Sequence, residues 1–380
     1  MSTNFTPVEP YSVSVPEIEL ASLRDRLRAT RWPERETIGG TGQGVPLAEM
    51  QALCRYWAEE YDWRRCEQAI NAFAQVRVSV DKLRIHALHV RSPETDALPL
   101  VLTHGWPGSV LEFLDVIGPL SDPVAYGGDP HDAFHVVVPS LPGYGFSDRP
   151  TEPGWNPDRI AAAWVELMRV LGYERFAAQG GDWGAAVTTS IGRKHPESVF
   201  GIHLNMPFGR RPAEVVELDA RDQQKLARQK SYQRQGSGYA LQQGTRPQTV
   251  GYGLVDSPVA LCAWIVEKLV DWSDNRDGPA LSRDALLDTV TLYWLTATGA
   301  SSARLYWEVQ ASWDRGAVSV PTGVSVFPQE ILQTPRLFAE QVYQDIRYWN
   351  EVDVGGHFAA WEQPAIFVEE VRNYFRLLRA

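Results

Sequence analysis

The first 95 residues carry two hydrophobic patterns, one typical of helices and one typical of strands. Apolar side chains recur at helical spacing in VPEIELASLRDRLRATRWP, and this pattern stops at Pro33. A second helical stretch is predicted over LAEMQALCRYWAEEYDWRRCEQAINAF. The next segment, QVRVSVDKLRIHALHV, alternates apolar and polar positions, which predicts two strands joined by a short turn. We therefore expect residues 1–95 to form a distinct N-terminal segment.

From residue 96 onward, apolar strand-like stretches alternate with amphipathic helices. Strands are predicted in LPLVLTHGWPGS, FHVVVPSLPGYGFS, RFAAQGGDWG and VFGIHLNMP. Helices are predicted in IAAAWVELMRVLGY and AAVTTSIGRKHP. This alternation predicts an α/β fold with a mostly parallel sheet flanked by helices, which binds its ligands at the carboxyl ends of the strands.

The pattern becomes mostly helical and polar over residues 208–315, which we interpret as a helical lid inserted into the α/β core. Strand-like stretches return in VSVPTGVSVFP and IRYWNEVDVGG, and PAIFVEEVRNYFRLL predicts a final helix. Residues 96–207 and 316–380 would then be the two halves of one core.

Composition narrows the class of protein. The 380 residues are 44% hydrophobic and include 14 Trp, which favours a large core and aromatic-lined cavities. The net charge of −11 argues against nucleic acid or an anionic membrane as a partner, because phosphate binding needs a basic surface. Arg greatly outnumbers Lys, as is typical of a high-GC bacterium.

The cysteines and the N-terminus indicate the compartment. Cys54, Cys66 and Cys262 form no CxxC pair and no metal-ligand spacing with His, so we expect buried free thiols in a reducing compartment. The first 20 residues lack a basic region followed by an apolar one, and no run of about 18 apolar residues occurs in the chain. We expect a soluble, cytoplasmic protein without a membrane anchor.

The stretch QGGDWGAAV, residues 179–187, has the outline of a nucleophile elbow. Such an elbow is a strained turn between a strand and a helix, and small residues flank its central side chain. Gly180 and Gly184 meet that requirement around Asp182. The central residue is therefore an aspartate where hydrolytic enzymes usually carry a serine.

A second motif, HGWPGS at residues 104–109, directly follows a predicted strand. In this architecture, a backbone N–H from that loop and the N–H of the residue after the nucleophile stabilise a developing oxyanion. Those donors would be the backbone N–H groups of Trp106 and Trp183. We interpret His104 as a structural residue that holds the loop.

His357 is the best candidate for a catalytic histidine. It lies late in the chain in the glycine-flanked segment VGGHFAAWEQP, after the last predicted strand. That position fits the chain order nucleophile, acid, histidine. The remaining histidines lie in strands, at a helix end or in other settings and are interpreted as structural or solvated: His86, His89, His131, His135, His195 and His203.

The acid that would orient His357 is less sharply defined. Glu330, in SVFPQEIL, follows the strand before the histidine strand and is favoured by position. Asp345, Glu351 and Asp353 are nearer to the histidine in sequence and stay open as alternatives.

A carboxylate nucleophile implies a particular kind of substrate. Aspartate carboxyl groups ordinarily have a pKa near 4, so they are ionised at neutral pH and can displace a leaving group from saturated carbon to form an ester. Water activated by a histidine would then hydrolyse the ester. The substrate should therefore be an epoxide or a compound with a carbon–halogen bond.

The leaving group decides which further residues are needed. A halide leaves as an anion and needs N–H donors, whereas an epoxide leaves as an alkoxide and needs a proton donor such as a phenol. An epoxide would therefore require tyrosines in the lid. The residues alone do not separate the candidates, which are Tyr232, Tyr239, Tyr252, Tyr293 and Tyr306.

Six motifs in order resemble the microsomal-type epoxide hydrolases of the α/β-hydrolase fold, over nearly the whole chain. These motifs are HGWPGS, PSLPGYGFS, GGDWG, SGYALQQGTRPQTVGYGLVDSPVALCAWIVEK, FPQE and GGHFAAWEQP. The resemblance implies Asp182 as nucleophile, His357 as general base, Glu330 as acid, and Tyr239 and Tyr306 as lid proton donors. It also implies an N-terminal meander that wraps the core and lid, and a reaction of epoxide and water that needs no metal or organic cofactor.

Some questions stay open at this level. The sequence lacks the N-terminal anchor helix of the membrane-bound members, which favours a soluble enzyme. Abundant Trp and a helical lid favour a bulky or aromatic epoxide, serving either detoxification or natural-product biosynthesis.

Haloalkane dehalogenase is the nearest alternative, although Trp106 stands where those enzymes tend to carry asparagine. A catalytically silent binding protein is another alternative, and the sequence leaves a homo-oligomer open.

Overall fold

The computed structural model describes residues 8–214, 217–311 and 316–379. The side chains of residues 310 and 311 are not described. Four short stretches lie outside the described residues: residues 1–7 of the predicted N-terminal segment, residues 215–216 and 312–315 of the predicted lid, and residue 380 at the end of the predicted core.

A nine-stranded sheet forms the centre of the described structure. Its strands are β1 (Val8–Tyr11), β2 (Gln75–Val80), β3 (Leu83–Val90), β4 (Leu98–Thr103), β5 (Phe134–Pro139), β6 (Phe176–Gly180), β7 (Val199–Leu204), β8 (Thr322–Val326) and β9 (Ile346–Glu351). They are ordered β1-β2-β3-β5-β4-β6-β7-β8-β9. The first three strands and the contact of β3 with β5 are antiparallel, and the pairs from β5 through β9 are parallel. The mostly parallel sheet predicted from the alternating pattern is confirmed.

The N-terminal segment contributes three of these strands, one more than the sequence pattern predicts. The β2–β3 hairpin turns at Asp81 and Lys82, whose φ angles of 45° and 68° suit a tight hairpin. The unpredicted strand β1 is only four residues long and largely exposed. It is held by its antiparallel pairing with β2, which no hydrophobic alternation within VEPY could reveal.

The helices fill the connections between strands. They are α1 (Glu17–Arg28), α2 (Leu47–Glu59), α3 (Trp63–Asn71), α4 (Leu114–Ser121), α5 (Pro157–Val170), α6 (Asp182–Lys194), α7 (Ala220–Gln235), α8 (Gly238–Thr245), α9 (Pro247–Asp256), α10 (Pro258–Asp271), α11 (Arg283–Leu295), α12 (Gly299–Ala311), α13 (Arg336–Ala339), α14 (Ala359–Glu362) and α15 (Pro364–Arg376). Helices α7 to α12 all lie between β7 and β8.

The prediction of one continuous helical stretch after the glycine-rich turn is wrong in one respect, because the chain forms two helices there, α2 and α3. Asp62 lies at the break, and its side chain accepts a hydrogen bond from the backbone N–H of Arg64. A side chain that caps a new N-terminus in this way starts a second helix. Trp57 and Trp63, on either side of the break, are both only 2% exposed.

The N-terminal segment packs against the inserted helix α11 through buried polar contacts. The indole N–H of Trp57 donates to Thr291 Oγ1 at 2.9 Å, and the hydroxyl of Tyr61 donates to Asp288 Oδ1 at 2.6 Å. Both acceptors lie on α11. These contacts therefore hold α2 and Tyr61 against α11 within the buried core.

Among the described residues, no single helix is long and apolar enough to span a membrane. Helices α9 and α10 reach that hydropathy only as a pair, and the chain bends by 114° between them.

Candidate active site

The predicted elbow forms at the carboxyl end of β6. Strand β6 ends at Gly180, and α6 begins at Asp182, whose φ of 48° lies in the left-handed region. A non-glycine residue in that region carries backbone strain, as expected for a nucleophile elbow. A Cβ on Gly184 would lie 1.8 Å from the carbonyl oxygen of Thr103. Only glycine therefore lets the first turn of α6 lie this close to β4.

The two carboxylate oxygens of Asp182 have different surroundings. Oδ1 accepts a hydrogen bond from the backbone N–H of Trp106 at 2.9 Å, and Oδ2 lies 3.4 Å from Nε2 of His357. The predicted second donor, the N–H of Trp183, belongs to the first turn of α6, where backbone N–H groups have no partner within the helix. One oxygen therefore accepts a backbone N–H while the other faces the histidine.

His357 and Glu330 form a buried pair. Nδ1 of His357 lies 2.8 Å from Oε1 of Glu330, and the two side chains are only 3% and 2% exposed. Burial by itself disfavours the imidazolium, but the negative charges of Glu330 and Asp182 outweigh it and hold the pKa of His357 well above its usual value. Of the alternative acids, Glu351 binds Lys225 at 2.7 Å instead.

The loop that carries His357 is attached to the lid segment after α10. The backbone N–H of His357 donates to the carbonyl of Trp272 at 3.0 Å, and the indole of Trp272 lies edge-on to the imidazole at 5.1 Å. The N–H of Gly355 donates to Oδ2 of Asp274 at 2.9 Å. The segment after α10 thus positions the histidine, a role for Trp272 that no sequence pattern indicated.

Tyr239 on α8 and Tyr306 on α12 meet above the elbow. Tyr239 stacks on Trp106 with ring centroids 4.9 Å apart, and Tyr306 lies edge-on to Trp183 at 4.7 Å. The two phenol rings are 5.7 Å apart. Burial raises the pKa of both hydroxyls well above the ordinary value, so both are protonated at neutral pH.

The other three lid tyrosines have different surroundings. Tyr252 is 70% exposed, and the hydroxyl of Tyr293 donates to the carbonyl of Gly108 at 2.9 Å. Tyr232 on α7 is partly buried, and its hydroxyl lies 2.9 Å from that of Tyr239. The structure therefore adds Tyr232 as a neighbour of the site that the sequence could not single out.

The remaining histidines contact groups outside the site. Nε2 of His104 accepts a hydrogen bond from the N–H of Leu141 at 3.1 Å, and burial lowers the pKa of His104 to about 4. His104 is therefore neutral and holds its loop. Among the described residues, no group of three or more His, Cys, Asp or Glu side chains is arranged to hold a metal ion.

Comparisons with known proteins agree with this architecture. Residues 8–113 match the model of the epoxide hydrolase N terminus, and residues 99–253 match the α/β hydrolase fold. A putative epoxide hydrolase from Stigmatella aurantiaca (strain DW4/3-1) is 54% identical over 377 residues, 98% of this chain and 86% of that protein. Epoxide hydrolase 1 from Sus scrofa is 33% identical over 98% of this chain and 89% of its own.

The similarity extends to solved structures. The structure of Aspergillus niger epoxide hydrolase superposes with a TM-score of 0.90 at 30% identity, covering 98% of this chain and 97% of that one. Sequence and fold therefore agree, and this chain belongs to the epoxide hydrolase family of α/β-hydrolase-fold enzymes.

Proposed function

We propose that this protein opens an epoxide to a vicinal diol through a covalent ester on Asp182. The observation that carries the proposal is the surroundings of that carboxylate. One of its oxygens accepts the N–H of Trp106, the other faces His357, and two protonated phenols lie above it. A nucleophile, a base and two acids are thus within one buried volume, as two-step displacement requires.

In the first step, Oδ2 of Asp182 attacks one ring carbon of the epoxide. A carbon–oxygen bond to Asp182 forms, the ring carbon–oxygen bond breaks, and the ring oxygen receives a proton from Tyr239 or Tyr306. Their raised pKa keeps both hydroxyls protonated, and two donors share the charge that develops on the oxygen. Tyr232, at 2.9 Å, orients the hydroxyl of Tyr239.

In the second step, water attacks the ester carbonyl carbon, Cγ of Asp182, and gives a proton to Nε2 of His357. The tetrahedral oxyanion lies where the backbone N–H groups of Trp106 and Trp183 can stabilise it. Its collapse breaks the bond between Cγ and the alkyl-bearing oxygen. The departing alkoxide takes a proton back from the imidazolium. The Asp182 carboxyl group, left as an acid, passes its proton to the tyrosinate formed in the first step, and the diol leaves.

The ester itself prepares His357 for this role. In the resting protein, the charges of Glu330 and Asp182 raise the pKa of His357 and favour its protonated form. Forming the ester removes the charge of Asp182, so the pKa of His357 falls and a neutral imidazole becomes available. Base catalysis is therefore switched on only after the nucleophile has reacted.

The lining of the site supports a bulky or aromatic epoxide. The rings of Trp106, Trp183, Tyr239, Tyr306 and Trp272 surround the reacting carboxylate in stacked or edge-on pairs. Flat apolar substrates gain both buried area and ring–ring contacts in such a site. In this proposal, residues 208–315 act as the lid that closes over the substrate.

The test is the intact mass of the His357→Gln variant after mixing with styrene oxide. Ester formation should proceed while hydrolysis stalls, so a stoichiometric adduct that maps to Asp182 is expected. Asp182→Ala is the control and should give neither adduct nor turnover. Full turnover by Asp182→Ala would refute the scheme.

The same experiment with a chloroalkane tests the haloalkane dehalogenase alternative, which the relatives do not favour. An adduct with the chloroalkane but not with the epoxide would replace the proposed substrate class. An ¹⁸O label shows which carbon the water attacks. In a single turnover in H₂¹⁸O, the ¹⁸O should enter the carboxylate of Asp182 and not the diol, because water attacks Cγ.

A further inference from the structure

A small cavity lies beside Asp182. Its volume is about 20 Å³, and both Asp182 and His357 line it. A space of that size holds one water molecule, provided that polar groups are available to bind it.

The cavity has such groups in Gln179 and Asn205, at the carboxyl ends of β6 and β7. The two side chains are 1% and 4% exposed and both line the cavity. Nε2 of Gln179 donates a hydrogen bond to Oδ1 of Asn205. Among the described residues, Oε1 of Gln179 and Nδ2 of Asn205 then have no partner. Buried polar atoms are rarely left unpaired, and ordered water is their usual partner where protein is not.

We infer that Gln179 and Asn205 hold the water that hydrolyses the Asp182 ester, an inference that rests on the proposed function. The N–H of Asn205 donates to the water oxygen, and one water proton goes to Oε1 of Gln179. The second proton points to Nε2 of His357, which leaves a lone pair directed at Cγ of Asp182. Hydrolysis transfers that second proton to His357, and the new carbon–oxygen bond forms from the lone pair.

The free donor and the free acceptor account for two of the four bonding directions of one water, and Nε2 of His357 and Cγ of Asp182 account for the other two. A carboxamide pair that only joined two strands could bond in both directions, each N–H to the other side chain's oxygen. It would then leave no acceptor and no donor free. Here the pair leaves one of each, and both residues line the cavity that also reaches the nucleophile and the base. Gln179 and Asn205 are therefore positioning residues, which act through the water.

The experiment compares ester formation and ester hydrolysis in single turnovers with styrene oxide. Asn205→Ala and Gln179→Leu should leave the rate of ester formation unchanged and slow hydrolysis about tenfold, the effect of one lost hydrogen bond. The Asp182 adduct should then accumulate. Thr188→Val is the matched control, because Thr188 also has a buried hydroxyl without a partner among the described residues but does not line the cavity.

A merely structural role predicts a different result, because disturbing the elbow would slow both steps by a similar factor. Proportional losses, or hydrolysis at the wild-type rate in both variants, would overturn the inference. Asn205→Asp, nearly identical in shape, guards against misfolding: it should still slow hydrolysis because its carboxylate cannot donate. His357→Gln reports on the proposed function separately. If it gives the Asp182 adduct while Asn205→Ala hydrolyses normally, only this inference fails.

Discussion

Replacing Glu330 by glutamine removes one negative charge and almost no volume. The carboxylate lies 2.8 Å from Nδ1 of His357, and with both side chains at most 3% exposed, solvent hardly screens the pair. A hydrogen bond to a charged group contributes about 1.5–3 kcal/mol. That contribution matters when the imidazolium forms during hydrolysis, so this step should slow by about 10- to 150-fold. In the proposed scheme, ester formation depends on Asp182 and the tyrosines, so its rate should not change.

The pH profile gives a signature that a packing defect would not share. Glu330 raises the pKa of His357, so its removal should lower that pKa. Hydrolysis needs neutral His357 in the ester, and its rate therefore rises with pH through this pKa. In Glu330→Gln, the acid limb of the pH–rate profile for hydrolysis should move to lower pH, and the rate on its plateau should fall. A distorted but still charged site would lower the plateau without moving the limb.

Stopped-flow tryptophan fluorescence measures both steps, because Trp106 and Trp183 lie beside the reacting carboxylate. The first phase should report ester formation and the second its hydrolysis. A hydrolytic phase of wild-type rate, or equal losses in both phases, would refute the orienting role of Glu330. The thermal midpoint should be recorded alongside, since Glu330 also accepts a weak hydrogen bond from the N–H of Leu332 at 3.3 Å, which glutamine can keep.

Three further outcomes are expected. Tyr239→Phe and Tyr306→Phe should each slow the first, ester-forming phase by roughly 10²-fold, and the double variant more severely, with slow-phase hydrolysis much less affected. The raised pKa of both phenols should keep the rate of ester formation level up to about pH 10, so an alkaline decline starting near pH 9 would contradict it. Gly184→Ala should abolish soluble expression or cost several kcal/mol in urea unfolding, since its Cβ would lie 1.8 Å from Thr103 O, whereas Gly238→Ala has open space around it and should be neutral.

Much of this site could be predicted from the sequence because its information is local. A nucleophile elbow needs small residues at fixed offsets between a strand and a helix, and QGGDWGAAV meets that need within nine residues. Asp182, Glu330 and His357 each follow a strand, and parallel strands bring their carboxyl ends to the same edge of the sheet. Chain order and periodicity were therefore enough to nominate all three.

The break at Asp62 and the strand β1 show where local patterns stop. The helical periodicity continues across Asp62, so only the capping hydrogen bond and the burial of the tryptophans on both sides reveal two helices. Strand β1 exists through its pairing with β2. Both depend on residues brought together by the fold.

The sequence by itself determined the fold class, and it was enough to nominate Asp182 as the nucleophile and to predict the chain order of its partners. The residues alone did not separate the candidate tyrosines, and it was the family resemblance that pointed to Tyr239 and Tyr306. Only the tertiary structure showed that Tyr232 contacts one of them and that Trp272 holds the histidine loop. The physical reason is the range of the interactions. Periodicity and turns act over a few residues, whereas the contacts around Asp182 join elements that are far apart in the chain and meet only through packing.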